Sequence, residues 1–163
     1  MSKAFTKEDG PDEPEVTRPR PSGRRLLTPE GHAQLLQEFR RLRDAERPGL
    51  LLDASVGGRQ ELRTVDARLA ELTALLEAAE VVQPSLEEGP AAFGAWVTTV
   101  DEAGERTTVR LVGPDEANPR QGLLSIASPV GRALLGRRPG DTVLVERPRG
   151  ATELQVLDVQ QRR

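Results

Sequence analysis

The sequence predicts an α+β protein: an N-terminal antiparallel coiled-coil hairpin, then a small antiparallel sheet carrying one short helix. Three observations predict it. Leu62, Val65, Leu69, Leu72 and Leu76 alternate at spacings of three and four, a strict a/d seam of period 3.5. Upstream, Thr28-Pro29-Glu30 reads as a helix start, with Thr28 as cap and Pro29 at the first helical position. After Pro90 the texture changes to short β-rich runs separated by turn residues.

Taken in order, residues 1–25 are rich in Pro, Glu, Asp and Arg and poor in large apolar side chains. Such a segment cannot bury enough surface to offset its ordering entropy and reads as a disordered tail. Its Arg18, Arg20, Arg24 and Arg25 read first as a solvated lead-in and second as a basic contact. The hairpin occupies 26–82. Its first arm runs from Pro29 to about Val56, with Leu35, Phe39 and Leu42 as the apolar face. Pro48 removes a helical hydrogen bond and predicts a kink, or a restart near Gly49. Gly57-Gly58 marks the expected tip, and the second arm runs from about Arg59 to Glu80. His32, the only histidine, is expected in a solvated first turn, since a chain without cysteine or a second histidine offers no ordinary zinc site.

Residues 83–90 form a linker and 91–163 a globular domain. Strands are expected at Ala95–Val100 and Arg106–Val112, joined across Asp101–Gly104, and then at Leu123–Ala127. Ser128-Pro129 starts a short helix that Gly136 stops. Two further strands, Thr142–Glu146 and Glu153–Val159, come after the turns at Pro139-Gly140-Asp141 and Pro148-Arg149-Gly150. Phe93 and Trp96 stand where the sheet begins and read as packing residues before they read as a base-stacking platform.

Composition narrows the function. In 163 residues the aromatic share is 2% and the net charge −3, so the core is aliphatic and no basic excess argues for a nucleic-acid backbone. There is no cysteine for disulfide or thiolate chemistry, no apolar run near the ~20 residues of a membrane span, and no hydrophobic leader at the N-terminus. A cytoplasmic protein is the expectation. No P-loop, dinucleotide fingerprint, nucleophile elbow or metal-ligand cluster is present, which argues against an enzyme in its own right.

Several separate stretches carry a family resemblance. MSKAFTKED at the start, LLTPEGHAQL at the first helix, ERP before the tip and VVQPS at the junction are followed by FGAWVTTVDEAGE and RLVGPDEANPRQGLLSIASPVGRALLGRRPGDTV. In this order they resemble the Gre transcript-cleavage factors, and the GreB branch more than GreA. The resemblance implies a coiled coil joined to a domain similar to FK506-binding proteins. It also implies a partner, bacterial RNA polymerase: the globular domain docks at the rim of the secondary channel and the coiled coil enters it. Acidic tip residues in that family help to hold a magnesium ion at the polymerase active site, where a metal-clamped displacement hydrolyses backtracked RNA. No cofactor of the protein's own is expected; net charge −3 and the lack of a recognisable reading element argue against sequence-specific nucleic-acid contact, and a monomer is expected.

Three departures from the family pattern are visible. Its tip reads Gly-Asp-x-x-Glu-Asn, and the matching stretch here is Gly57-Gly58-Arg59-Gln60-Glu61-Leu62. Glu61 takes the glutamate position, while Gly58 and Leu62 replace the aspartate and asparagine; Asp53 and Asp66 lie nearby without matching. The hairpin is also shorter, by roughly seven residues per arm, or on the order of 10 Å of reach. In the loop before the short helix Ser128 and Pro129 remain, but Ala127 stands where the family has Asp or Asn. Ser128, Pro129 and Ala127 are the candidate partner-binding residues. Glu61, with Asp53 and Asp66 behind it, is the tip candidate. The expectation is a polymerase-binding regulator deficient in cleavage stimulation; the alternatives are a working cleavage factor and an interaction module for another partner.

Overall fold

The computed structural model describes residues 24–161 apart from 86 and 149. Arg18 and Arg20 of the basic cluster lie outside the described residues. The chain opens with strand β1 (Arg25–Leu27) and helix α1 (Pro29–Arg41). A five-residue π segment (Leu42–Glu46) continues directly into α2 (Arg47–Leu52), and α3 (Val56–Ala78) returns to β2 (Ala79–Val81). The second half holds β3 (Trp96–Asp101), β4 (Arg106–Val112), a 3-10 turn (Pro119–Gln121), β5 (Leu123–Ser125), α4 (Pro129–Leu134), β6 (Thr142–Arg147) and β7 (Gly150–Gln160). The result is a helical hairpin beside a mixed α+β unit.

The hairpin forms because both arms carry an apolar stripe. Leu35 and Leu42 of the first arm meet Val65, Leu72 and Leu75 of the second in one buried cluster, with Phe39, Leu50, Leu69 and Leu76 packed against it. Leu75 stands outside the strict 3.5 seam and is nevertheless almost fully buried, whereas Leu62, inside it, is half-buried. At the base the second arm widens its contact beyond one seam, to cover Leu27 as well. Across the arms Arg68 grips both oxygens of Glu38, at 2.8 and 3.0 Å, and also reaches Glu71 at 2.9 Å. Its hydrogen bonds hold the Glu38 carboxyl below its ordinary value, against a smaller opposing effect of burial.

The arm does not restart at Gly49: it runs through Pro48 as a π segment followed directly by α2. The helix widens ahead of the proline, with the Arg47 N–H bonding back to the Leu42 carbonyl across five residues. A π turn inserts one residue, which accommodates the missing N–H and the bulk of the ring. It also rotates the remainder of the arm by about 100°. Leu50 therefore continues the apolar face, and Arg47 meets Asp66 at 2.7 Å.

Three expectations are corrected. The chain reverses at Asp53–Ser55, not at Gly57-Gly58, because Ser55 caps α3 and the glycines belong to its first turn. Arg25–Leu27 is a strand rather than tail or helix lead-in, pairing parallel with Ala79–Val81; the second arm accordingly stops at Ala78. The five-stranded sheet, ordered β5-β4-β3-β7-β6, is not wholly antiparallel, since β5 runs parallel to β4 after the crossing made by the 3-10 turn. The remaining strands pair antiparallel, with a bulge at Thr98/Thr99 where β3 meets β7. Val97, Leu111, Val143, Val145, Leu154 and Val156 form the core of the sheet, closed by Leu134 of α4.

This packing sets two measurable outcomes. Leu72→Ala empties a fully buried position and is expected to lower unfolding free energy by about 2–5 kcal/mol, with Leu62→Ala losing markedly less. Urea unfolding followed by helix circular dichroism checks both. Because the folded Glu38 carboxyl titrates below the free value, its pairing stabilises the hairpin fully above about pH 4.3 and fades as the pH falls through the lowered value. Glu38→Gln should flatten that part of the stability–pH curve, and an unchanged curve would count against the pair.

Candidate functional site: the hairpin tip, its base and the loop before the short helix

The tip is built from a turn that uses its own polar groups. Asp53 ends α2, and its Oδ1 accepts the Ser55 N–H at 2.9 Å. Ser55 in turn accepts the Gly58 N–H on its hydroxyl at 2.9 Å, which caps α3. The Ser55 backbone N–H, then its hydroxyl, hold the Asp53 carboxyl below its ordinary value. That carboxylate folds over Gly58, where an added Cβ would stand 2.4 Å from its Cγ and 2.7 Å from its Cβ. An aspartate at position 58 would thus crowd Asp53 sterically and oppose it in charge. In this turn the absence of the second tip carboxylate and the placement of Asp53 go together.

The three acidic candidates do not converge. Glu61 is exposed on α3, six residues beyond the cap, or roughly 9 Å along the axis. Asp66 lies five residues further on and is held by Arg47. Arg59 and Arg63 are exposed on either side of Glu61, four residues apart on one helix face. Among the described residues no group of three His, Cys, Asp or Glu side chains is placed to hold a metal ion. His32, expected in solvent, is half-buried in the first turn of α1.

The loop before α4 is equally committed to itself. Ser128 donates its hydroxyl to the Ser125 carbonyl at 2.7 Å and accepts the Gly131 N–H at 3.0 Å. The Ala127 N–H reaches the Ser125 hydroxyl at 3.1 Å. Gly131 packs so tightly that a Cβ there would lie 2.0 Å from the Ser125 carbonyl oxygen. Facing outward are Ala127, Pro129 and Arg132, with Ser128 half-buried beneath them. Beside this loop a cavity of about 220 Å³ is lined by Val109, Leu124, Val130, Leu134 and Leu154, with Asp101 and Glu105 adding charge.

Sequence reasoning missed the base of the hairpin. Thr28 is fully buried; its N–H donates to Glu116 Oε2 at 2.9 Å, its hydroxyl donates to Glu116 Oε1, and that hydroxyl also accepts the Gly31 N–H at 3.0 Å. A Cβ on Gly31 would fall 2.1 Å from Glu116 Cδ, so a side chain there would have to displace the carboxylate that Thr28 holds. Around this contact Arg25 pairs with Asp115 at 3.8 Å and Arg110 with Glu30 at 3.2 Å. Arg110 also lies 5.9 Å from the centre of the Trp96 ring and donates to the Gly94 carbonyl at 3.1 Å. The Glu30 carboxyl is lowered first by its own backbone N–H and then by Arg110. Of the basic cluster, Arg24 reaches Glu80 at 3.9 Å and Arg25 Asp115, so both face this protein's own carboxylates. The only sequence signal for this joint was the cap at Thr28; Glu116 is 88 residues away.

Comparison with known proteins identifies the family. Residues 86–161 match the family model of the C-terminal domain of the GreA/GreB transcription elongation factors. Transcription elongation factor GreA of Ruegeria pomeroyi is 36% identical over 82% of this chain and 96% of its own length. Transcription elongation factor GreB of Pseudomonas aeruginosa is also 36% identical, over 87% of this chain and 94% of its own. The crystal structure of GreA factor homolog 1 (Gfh1) of Thermus thermophilus is 31% identical over 83% of this chain and 97% of its own, at a TM-score of 0.40. Relatives this similar over most of both chains place the protein in the GreA/GreB family of transcription elongation factors. Relatives of both branches match, the GreA sequences at 34–36% identity and the GreB sequences at 36% and 41%.

Glu116→Ala leaves the buried Thr28 N–H without its acceptor, and a loss of about 1–3 kcal/mol in stability is expected. Amide exchange at Thr28 should accelerate in parallel. Unchanged protection there would show that Glu116 does not hold the base of the arm.

Proposed function

We propose that this protein is a Gre-type regulator that binds bacterial RNA polymerase at the rim of the secondary channel and stimulates RNA cleavage poorly. In this reading the hairpin is the coiled-coil arm and the five-stranded unit the FKBP-like docking domain. Ala127, Ser128 and Pro129 form part of the docking surface: Ala127 and Pro129 face outward, and Ser128 shapes the loop that presents them. The protein acts in the bacterial cytoplasm as a monomer, carries no cofactor, and leaves magnesium to the polymerase.

The observation that carries the reading is the chemistry of the tip. Holding a hard cation calls for several oxygen ligands within about 2.0–2.6 Å of one point. Here Asp53 is folded into the turn, Asp66 is paired with Arg47, and Glu61 stands alone behind the reversal. A shorter arm adds to the shortfall. Such an arm still occupies space in a channel through which nucleotides pass, and so it regulates by obstruction or by competition with longer factors.

Exposure of Glu61 favours one alternative, a working cleavage factor in which it alone retains the metal. Incubation of a stalled, backtracked elongation complex with the purified protein separates the two. Binding without release of short 3′ RNA fragments is the expected result. Efficient release at substoichiometric protein, abolished by Glu61→Ala with binding intact, would establish the alternative. Failure to bind polymerase while another protein is captured would instead mark an interaction module for a different partner.

A further inference from the structure

The tip that lacks convergent carboxylates is apolar. Leu51, Leu52 and Val56 are 56%, 88% and 76% exposed and flank the Asp53–Ser55 reversal. Single exposed apolar side chains are ordinary; three within six residues at the end of a projecting arm form a patch. Among the described residues none covers them. Leu50 is the residue of α2 that packs on the hairpin cluster, and Leu51 and Leu52 lie about 100° and 200° further round the helix. The register shift at the π segment selects Leu50 and turns Leu52 outward.

We infer that Leu51, Leu52 and Val56 form a contact foot that rests on an apolar protein surface of the polymerase while the globular domain is docked. This rests on the proposed docking. The chemistry identifies the occupant. Aliphatic side chains offer no π face on which bases stack. Between residues 47 and 63 three arginines stand against two carboxylates, too nearly balanced to hold a cation or to track a phosphate backbone. A second copy of this chain is a poor fit, because three side chains from each copy bury a few hundred Å2, well short of the ~1,200–2,000 Å2 of a stable interface.

A patch of that size is effective only when tethered. Once the globular domain is bound, the tip meets its surface at an effective concentration on the order of millimolar, and a weak contact then adds to total affinity. The 23 residues of α3 carry the tip on the order of 35 Å from its base. The contact at Thr28 and Glu116 fixes the direction in which it points.

The test uses the full chain and purified core polymerase. Leu52→Ser/Val56→Ser changes only exposed positions, and helix content and melting temperature should remain those of the parent. The double variant is expected to bind polymerase about tenfold or more weakly. A photoreactive phenylalanine at position 52 should crosslink to a polymerase subunit. Parent binding with the variant within twofold of it would overturn the foot and leave the docking reading intact. So would a crosslink to RNA alone, or a concentration-dependent dimer that the variant loses. Absence of binding by the parent chain would remove the docking reading and the foot together, and Pro129→Glu, which perturbs only the docking loop, shows which contact a partial loss belongs to.

Discussion

The contact between Thr28 and Glu116 is the constraint on which the rest of this structure depends. One buried hydroxyl caps the first helix and at the same time donates to a carboxylate from the loop after β4. The start of the arm and its attachment to the globular unit are therefore a single hydrogen-bonded group. Gly31 and Gly113 allow the two halves this close, since a Cβ on the latter would lie 2.1 Å from the Leu26 carbonyl oxygen. A projecting arm amplifies any freedom at its root: about 10° of tilt over roughly 35 Å moves the tip by about 6 Å. The ion pairs of Arg25 and Arg110 surround the joint and restrain that tilt.

The arm itself is shaped by Pro48. A proline inside a helix breaks or kinks it unless the preceding turn adapts, and here a π segment provides the adaptation. The inserted residue changes which side chains look inward. Leu50 joins the cluster, Arg47 swings to Asp66, and the leucines after it are left in solvent. One local rule about a missing N–H thus reaches the tip, where it removes a carboxylate from use and exposes apolar surface.

At both ends of the molecule, the residues that attract attention in the sequence are bound to their own backbone. Asp53 and Ser55 shape the reversal, and Ser128 shapes the loop before α4. Their polar atoms decide, through geometry, what stands beside them on the surface. Around Ser128 this leaves Ala127, Pro129 and Arg132 facing outward, and around Asp53 it leaves Leu51, Leu52 and Val56. In a GreA/GreB family member, with docking and arm insertion as proposed, recognition then depends more on shape and apolar contact than on placed charge.

The sequence by itself determined the elements whose cause is local. Period-3.5 spacing marked the second arm, Thr28 and Ser128 marked two caps that both form, and turn residues marked β4 at its observed bounds. Family membership was legible too, because several stretches matched in order. Only the tertiary structure decided the features that involve partners distant in sequence or shifts of register. The parallel pairing of Arg25–Leu27 with Ala79–Val81 spans more than fifty residues, and β5 turns parallel to β4 through an irregular crossing. The reversal moved from Gly57-Gly58 to Asp53–Ser55 because a capping serine outweighs a permissive glycine pair in starting a helix. Glu61, Asp53 and Asp66 sit close together in sequence, yet Asp53 belongs to the reversal, the 3.6-residue period of α3 points Glu61 and Asp66 apart, and Arg47 claims Asp66 only through the packing of two arms.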